Sequence, residues 1–280
     1  MTAIKKFLVC LIFLLLANST AMSAEKLKIA VTHPWLAILA SFIGGAEVEI
    51  IQILTWNPDG DLIRTSNGKI LKELPDRTKI IAIDEAEAKS AGINLNKNEK
   101  NFDIRLLYKP FPIGINRIAD PSVVPFVAQR VLTALSEWDA ANYPFYQRRL
   151  AEFQARLSSS MLAGQVLNGA LIYDLSVSSG ILLQAAGCKI SRPSSEMLTQ
   201  LQNYGAGALK NFANEKHSQG YIIFMDAWTH KNIKRHLEGR SDVYLWALPS
   251  IEMDYPSFLH EQYISLWQKI TAKPLPGIRR

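Results

Sequence analysis

At 280 residues, 48% hydrophobic and 20% charged, the chain has apolar material for one large domain or two lobes with their own cores. That balance excludes a disordered chain. The net charge of +6 is scattered, and no basic run interleaved with aromatics points to nucleic acid. Two cysteines, one of them in the N-terminal apolar run, exclude a disulfide framework.

Residues 1–24 read as a secretory signal peptide. Lys5 and Lys6 form a positive start, Phe7 to Ala17 an apolar run too short to span a bilayer comfortably, and small residues follow. Cleavage after Ala21, Ser23 or Ala24 fits. Cys10 lies inside the run and not after a lipobox, which argues against a lipid anchor. A periplasmic protein is expected. Its remaining cysteine, Cys188, is expected to be a small buried side chain.

From there strands and helices alternate. Strands are predicted over 27–32, 48–54, 79–83 and 104–108. Helices are predicted over 35–43, closed by Gly44 and Gly45, and over 69–74 and 85–90. Trp56 to Gly60 (WNPDG) reads as a turn and 94–100 as a polar loop. After residue 164 the pattern returns. Strands are predicted over 170–173, 188–191, 221–225 and 243–248. Helices are predicted over 177–186, from Ser194-Ser195 through Leu201, and over 228–237 and 258–270. Residues 204–208 read as a Gly/Ala turn. The fold class is therefore α/β: two lobes, each a roughly four-stranded parallel sheet with flanking helices. The lobes are expected over 25–120 and 165–280, with linking helices over 121–164.

The link carries the clearest periodicity. Tyr146, Leu150, Phe153, Leu157 and Met161 fall on one helical face. Arg148, Glu152 and Arg156 stand four apart on another, where the acid can pair with either base. A helix from Tyr143 to Met161 would be about 28 Å long at 1.5 Å per residue, enough to act as a strut.

An Asp120-Pro121 start, an apolar helix, then Asp139, Asn142, Tyr146, Leu150, Phe153 and Leu157 at their spacing resemble the zinc- and manganese-type periplasmic solute-binding proteins of ABC importers, the ZnuA/TroA-like group. Arg192-Pro193-Ser194-Ser195 resembles a further segment of that group. The resemblance spans nearly all of 27–272, mostly as pattern. It implies a solute held between two α/β lobes, limited lobe closure, delivery to an ABC permease in the inner membrane, and a monomer. No cofactor is implied; a divalent metal ion would enter only as transported ligand.

At the positions where the group carries metal ligands this chain departs. The first loop is Pro58-Asp59-Gly60-Asp61, without histidine; Ser122 follows Asp120-Pro121; Asp174-Leu175-Ser176 opens the second lobe; and Trp246-Ala247-Leu248-Pro249 lacks an acid. Ligands of open α/β lobes lie at the carboxyl ends of strands. The candidates are therefore His33, Asp59, Asp61, Ser122, Asp174, Ser176 and Asp226, with His33, Asp61 and Asp174 the best metal donors. Each Asp also reads as a turn former or helix cap, and His33 as a structural histidine. His230 and His236, six apart on a helix, make a poor metal pair, and His217 and His260 read as exposed. Trp35, Trp56, Tyr108, Phe111, Tyr173 and Trp228 near strand ends could line a cleft for an organic ligand, or fill the core.

No nucleophile elbow, zincin, P-loop or dinucleotide-binding motif is present, so the chain reads as a binding protein and not an enzyme. Two functions remain open. One is a metal-importer component with an altered site; the other is an accessory or interaction protein on the same scaffold that has lost metal binding. A carboxylate cluster in the cleft favours the first. An apolar cleft with Ser122, Ser176 and Ala247 facing inward favours the second.

Overall fold

The computed structural model describes residues 26–95 and 101–272. The export segment predicted over 1–24 lies outside them, as does most of the loop predicted over 94–100.

The first lobe runs β1 (Leu27–Val31), α1 (Pro34–Gly44), β2 (Val48–Gln52), β3 (Leu54–Trp56), β4 (Leu62–Arg64), α2 (Ile70–Glu73), β5 (Lys79–Ala82), α3 (Glu85–Ser90) and β6 (Asp103–Leu106). Its main sheet is parallel throughout, in the order β2-β1-β5-β6. Two long helices follow, α4 (Val124–Trp138) and α5 (Tyr143–Gly164). The second lobe runs β7 (Leu171–Asp174), α6 (Gly180–Ala185), β8 (Lys189–Ser191), α7 (Ser195–Asn203), α8 (Ala206–Ser218), β9 (Ile222–Asp226), α9 (Lys231–Leu237), β10 (Val243–Trp246) and α10 (Tyr255–Thr271). Its sheet, β10-β9-β7-β8, is parallel too. The two lobes of four parallel strands and the linking helix are as the sequence predicts.

Alternation along the strands divides the core. Ile29, Val31, Ile81 and Ile83 face a large inner cluster, while Ala30, Ile80 and Ala82 face an outer one. In the second lobe Ile172, Ile222, Phe224 and Trp246 face inward, and Tyr173, Ile223, Met225 and Val243 outward. The inner faces of both sheets join one continuous core with α1, α4, α5 and α10. Phe153 is its midpoint. It is fully buried, edge-on to Phe42 of α1 at 5.4 Å and stacked on Tyr255 of α10 at 6.4 Å. Polar ties run beside it. Arg149 Nε donates to the Phe42 carbonyl at 2.9 Å, and the Ser160 hydroxyl donates to the Pro256 carbonyl at 2.7 Å. Glu152 pairs with Arg149 and Arg156, at 2.7 and 3.6 Å. Arg149, one turn away at i,i+3, takes the place predicted for Arg148.

Three departures matter for the site. The second strand stops at Gln52, and the chain turns back as the antiparallel hairpin β3–β4. Residues 177–179, predicted helical, form a loop before α6. The supposed turn at 204–208 is the start of α8: Gly205 is its N-cap, and Leu209, Phe212 and Ala213 bury its apolar face.

Phe153→Ala would empty a site walled by both lobes. Such truncations cost about 3 to 5 kcal/mol. Equilibrium denaturation should show a loss of that size, whereas under about 1 kcal/mol would mean the two lobes do not share this core.

Candidate functional site

Strand order reverses between β1 and β5 in one sheet and between β7 and β9 in the other. Crevices form at such switch points. The residues there are Thr32-His33 and Ile83-Asp84, facing Asp174-Leu175 and Asp226-Ala227. Between them lies a cavity of about 200 Å³.

The acids predicted for this region are occupied by the chain's own donors. Asp174 is buried. Its Oδ1 accepts from the Ser176 amide at 2.8 Å and the Ser176 hydroxyl at 2.6 Å, and its Oδ2 accepts from Arg192 Nε at 2.8 Å. A Cβ at Gly180 would come within 2.0 Å of that Oδ2, so only glycine lets α6 start against this ion pair. Asp120 repeats the arrangement: Oδ1 takes the Ser122 amide and hydroxyl at 2.9 and 2.7 Å, and Oδ2 takes Arg117 at 2.6 Å. Burial raises the pKa of Asp120, and the Ser122 donors and Arg117 more than offset it, holding it below the usual carboxylate value. Asp226 is fully buried. Its carboxylate accepts from the amides of Val177, Ser178 and Ser179 at 3.0 to 3.2 Å and from the Thr229 hydroxyl at 3.0 Å. The 177–179 loop is a nest of amides filled by an internal anion.

In the hairpin loop Asn57 is the organiser. Its side-chain oxygen accepts from the amides of Asp59 and Asp61, at 3.0 and 2.8 Å. Both aspartates are exposed. Asp61 Oδ2 accepts from the Asn57 amide group at 3.1 Å, and Asp59 pairs with Lys234 of the other lobe at 3.2 Å. Gly60 takes φ +85°, and its carbonyl accepts from Trp228 Nε1 at 2.7 Å across the cleft. Trp228 also stands edge-on to Trp56 at 6.3 Å. These contacts latch the lobes at the hairpin tip. The hydrogen bond is worth about 1 kcal/mol and the aromatic contact about as much, while an ion pair with so exposed an acid adds little.

His33 lines the cavity, 5% exposed. Its Nδ1 accepts from the Trp35 amide at 3.2 Å, capping α1. A neutral imidazole that accepts at Nδ1 carries its proton on Nε2, and burial holds the ring neutral by pushing its pKa down to about 3. The nitrogen left over is thus a donor and not a metal-binding lone pair. Among the described residues no group of three or more His, Cys, Asp and Glu could hold a metal ion.

Of the predicted ligand donors only His33 lines the cavity; Asp59, Asp61, Ser122, Asp174, Ser176 and Asp226 do not. Ala247, Trp35, Trp56 and Trp228 line it, whereas Tyr108 pairs with Phe111 at 4.9 Å and Tyr173 belongs to the outer core of the second lobe. Sequence reasoning missed Trp246, Phe258, Ser178 and Ser179 on its walls. Cys188 is only half-buried, and His230 is the cap of α9.

No family model matches the chain, and no curated protein matches it by sequence. Solved structures do. ZnuA superposes with a TM-score of 0.60 at 15% identity, covering 88% of this chain and 100% of that one. The laminin-binding protein Lmb of Streptococcus agalactiae, bifunctional with adhesin and metal-transporting activity, gives 0.62 at 12% identity, with 88% and 100% covered. The solute-binding protein FpvC of Pseudomonas aeruginosa, in complex with Mn²⁺, gives 0.58 at 16% identity, with 89% and 99% covered. The chain therefore has the ZnuA-like two-lobe fold. At these identities the chemistry of the cleft has to be read from its own side chains.

Beneath His33 lies a second buried ionisable group. Glu87 Oε2 accepts from the Thr32 hydroxyl and, at 3.2 Å, from the Ile83 amide, while Oε1 has no partner among the described residues. Burial pushes this carboxyl up to about 7, against the pull of the Thr32 and Ile83 donors. Native His33 lacks a proton that the unfolded chain binds between pH 3 and 6.5, so its burial makes stability rise with pH across that window. Native Glu87 keeps a proton that the unfolded chain has lost between pH 4.5 and 7, so its burial makes stability fall with pH there. Denaturation over a pH series should give a rise to pH 4.5, a flat stretch to 6.5, then a decline. The decline spans only the half unit from 6.5 to 7, about 0.7 kcal/mol at 1.36 kcal/mol per unit. Glu87→Gln should remove it and turn the flat stretch into a continued rise to pH 6.5, a change of about 3 kcal/mol in all between pH 4.5 and 7. A decline that persists in Glu87→Gln would assign it elsewhere.

Proposed function

We propose that this chain is an extracytoplasmic solute-binding protein of the importer type, serving an ABC permease in the inner membrane, whose cleft takes a solute other than zinc or manganese. The observation that carries this is the state of the donors. Asp174, Asp120 and Asp226 are each saturated by amides, hydroxyls or arginines, and His33 spends its one acceptor nitrogen on a helix cap. A cavity nevertheless remains between the lobes. The fold shared with ZnuA and FpvC supports capture between lobes, and no helix among the described residues is long and apolar enough to cross a membrane.

A second reading, an accessory or interaction protein that binds no solute, is favoured by the latch from Gly60 to Trp228, which closes the cleft without a ligand. It is favoured also by the apolar cavity wall with Ala247 on it, although Ser122 and Ser176 are turned to their aspartates instead.

A tight zinc site needs about four donors at about 2.0 to 2.3 Å. Calorimetric titration with zinc and with manganese at neutral pH should show micromolar or weaker affinity, and metal analysis of the purified chain no stoichiometric ion. A nanomolar one-to-one isotherm abolished by His33→Ala would overturn the proposal by showing that the metal site has moved. A nanomolar isotherm untouched by substitutions at His33, Asp61 and Asp174 would place it away from this cleft.

A further inference from the structure

We infer that the inter-lobe cavity binds a small, uncharged aromatic molecule carrying one hydrogen-bond acceptor. The inference rests on the reading of the chain as a solute-binding protein and names its ligand class.

Size comes first. The cavity is about 200 Å³, and an apolar cavity of about 150 Å³ is known to take benzene. One substituted ring fits. The walls are chiefly aromatic: Trp35, Trp56, Trp228, Trp246 and Phe258. Rings set edge-to-face suit a further ring better than an aliphatic chain. At the mouth Leu62, Ile115 and Val177 are exposed and line the same space. Exposed aliphatic residues around a cavity mark an entry for apolar material.

Charge decides the next step. Among the described residues no charged side chain lines the cavity. Behind its 177–179 wall sits the buried Asp226 carboxylate, bound by amides and hydroxyls with no cation partner among the described residues. An anionic ligand would face that charge without a counter-ion. A cationic ligand would be drawn by that charge and by the tryptophan faces, but the amides and hydroxyls already answer the carboxylate, no acidic side chain among the described residues lines the walls to pair with it, and the His33 imidazole offers it no lone pair. The ligand left is neutral.

Two polar atoms fix its orientation. His33 and Ser179 are each 5% exposed and line the cavity. Neither His33 Nε2 nor the Ser179 hydroxyl has a hydrogen-bond partner among the described residues. Neither atom is sealed in the interior, where the unpartnered side-chain atoms among the described residues are Glu87 Oε1 and His217 Nδ1. Each is therefore open to a partner in the cavity, and a ligand carbonyl or ether oxygen supplies one.

The test uses the full mature chain, with binding read by calorimetry and by the shift in melting temperature. The probes are acetophenone, ethylbenzene, benzoate and benzylammonium. Acetophenone should bind one to one and about three- to tenfold more tightly than ethylbenzene, the worth of one neutral hydrogen bond. The two ions should bind at least about tenfold more weakly still, as unpaired charges in an apolar site. Ser179→Ala should reduce the advantage of acetophenone without abolishing it, since the His33 donor remains, and leave ethylbenzene unchanged. Ala247→Phe should abolish both by filling the space, with circular dichroism showing the fold retained; Ala119→Leu does the same if that variant does not fold. Tightest binding by either ion, no binding by any probe, or binding that survives the filled cavity would overturn the inference. A small-molecule extract run in the same melts separates this from the parent reading. Stabilisation by a charged fraction, lost in the filled variant, overturns the ligand class and leaves solute capture standing. No stabilisation by probes or extract overturns both.

Discussion

A carboxylate removed from water must be given several donors or give up its charge. The centre of this molecule follows from how each acid meets that demand. Asp174 and Asp120 each hold a serine amide, a serine hydroxyl and an arginine. Asp226 fills a nest of three amides. Glu87, with one oxygen unpartnered among the described residues, takes the other course, and burial moves its pKa toward neutrality. The acids that a metal site would need are therefore already consumed at the strand ends, and the space between the lobes is left to tryptophan.

The same choice changes what holds the lobes together. A bound metal would tie them through shared ligands. Here a protein–protein latch spans the mouth, from the Gly60 carbonyl and Trp56 to Trp228, and a single core passes from sheet to sheet through Phe153. The latch, at a few kcal/mol at most, is weak enough to open. The core is not. Its geometry leaves the hairpin tip and the cavity rim as the parts held by the weaker contacts.

Much of the fold was legible because its signals are periodic. The alternating strands and the spacing of Tyr146, Leu150, Phe153 and Leu157 name their own buried faces. What escaped was local. Asn57-Pro58-Asp59-Gly60 was readable as a turn, and the short runs LTW and LIR on either side were the available signal that it closes a hairpin. Helix α8 was hidden behind Gly205 and Gly207, although Leu209, Phe212 and Ala213 keep a helical spacing. The site was legible only as a set of absences. The missing histidines were plain, but that Ser176 and Ser122 serve their own aspartates, and that His33 caps a helix, depends on side-chain direction. A one-dimensional pattern does not carry that.

The most direct test of this account is the separation of the lobes with and without metal. Spin labels at Lys69→Cys and Lys210→Cys, both exposed and one in each lobe, in a Cys188→Ala background, would report it by pulsed dipolar spectroscopy. If protein contacts and not a metal close the cleft, the distance distribution is the same in EDTA, in zinc and in manganese, and broadens only when Trp228→Ala removes the latch. A cleft that opens in EDTA and closes on zinc would contradict it.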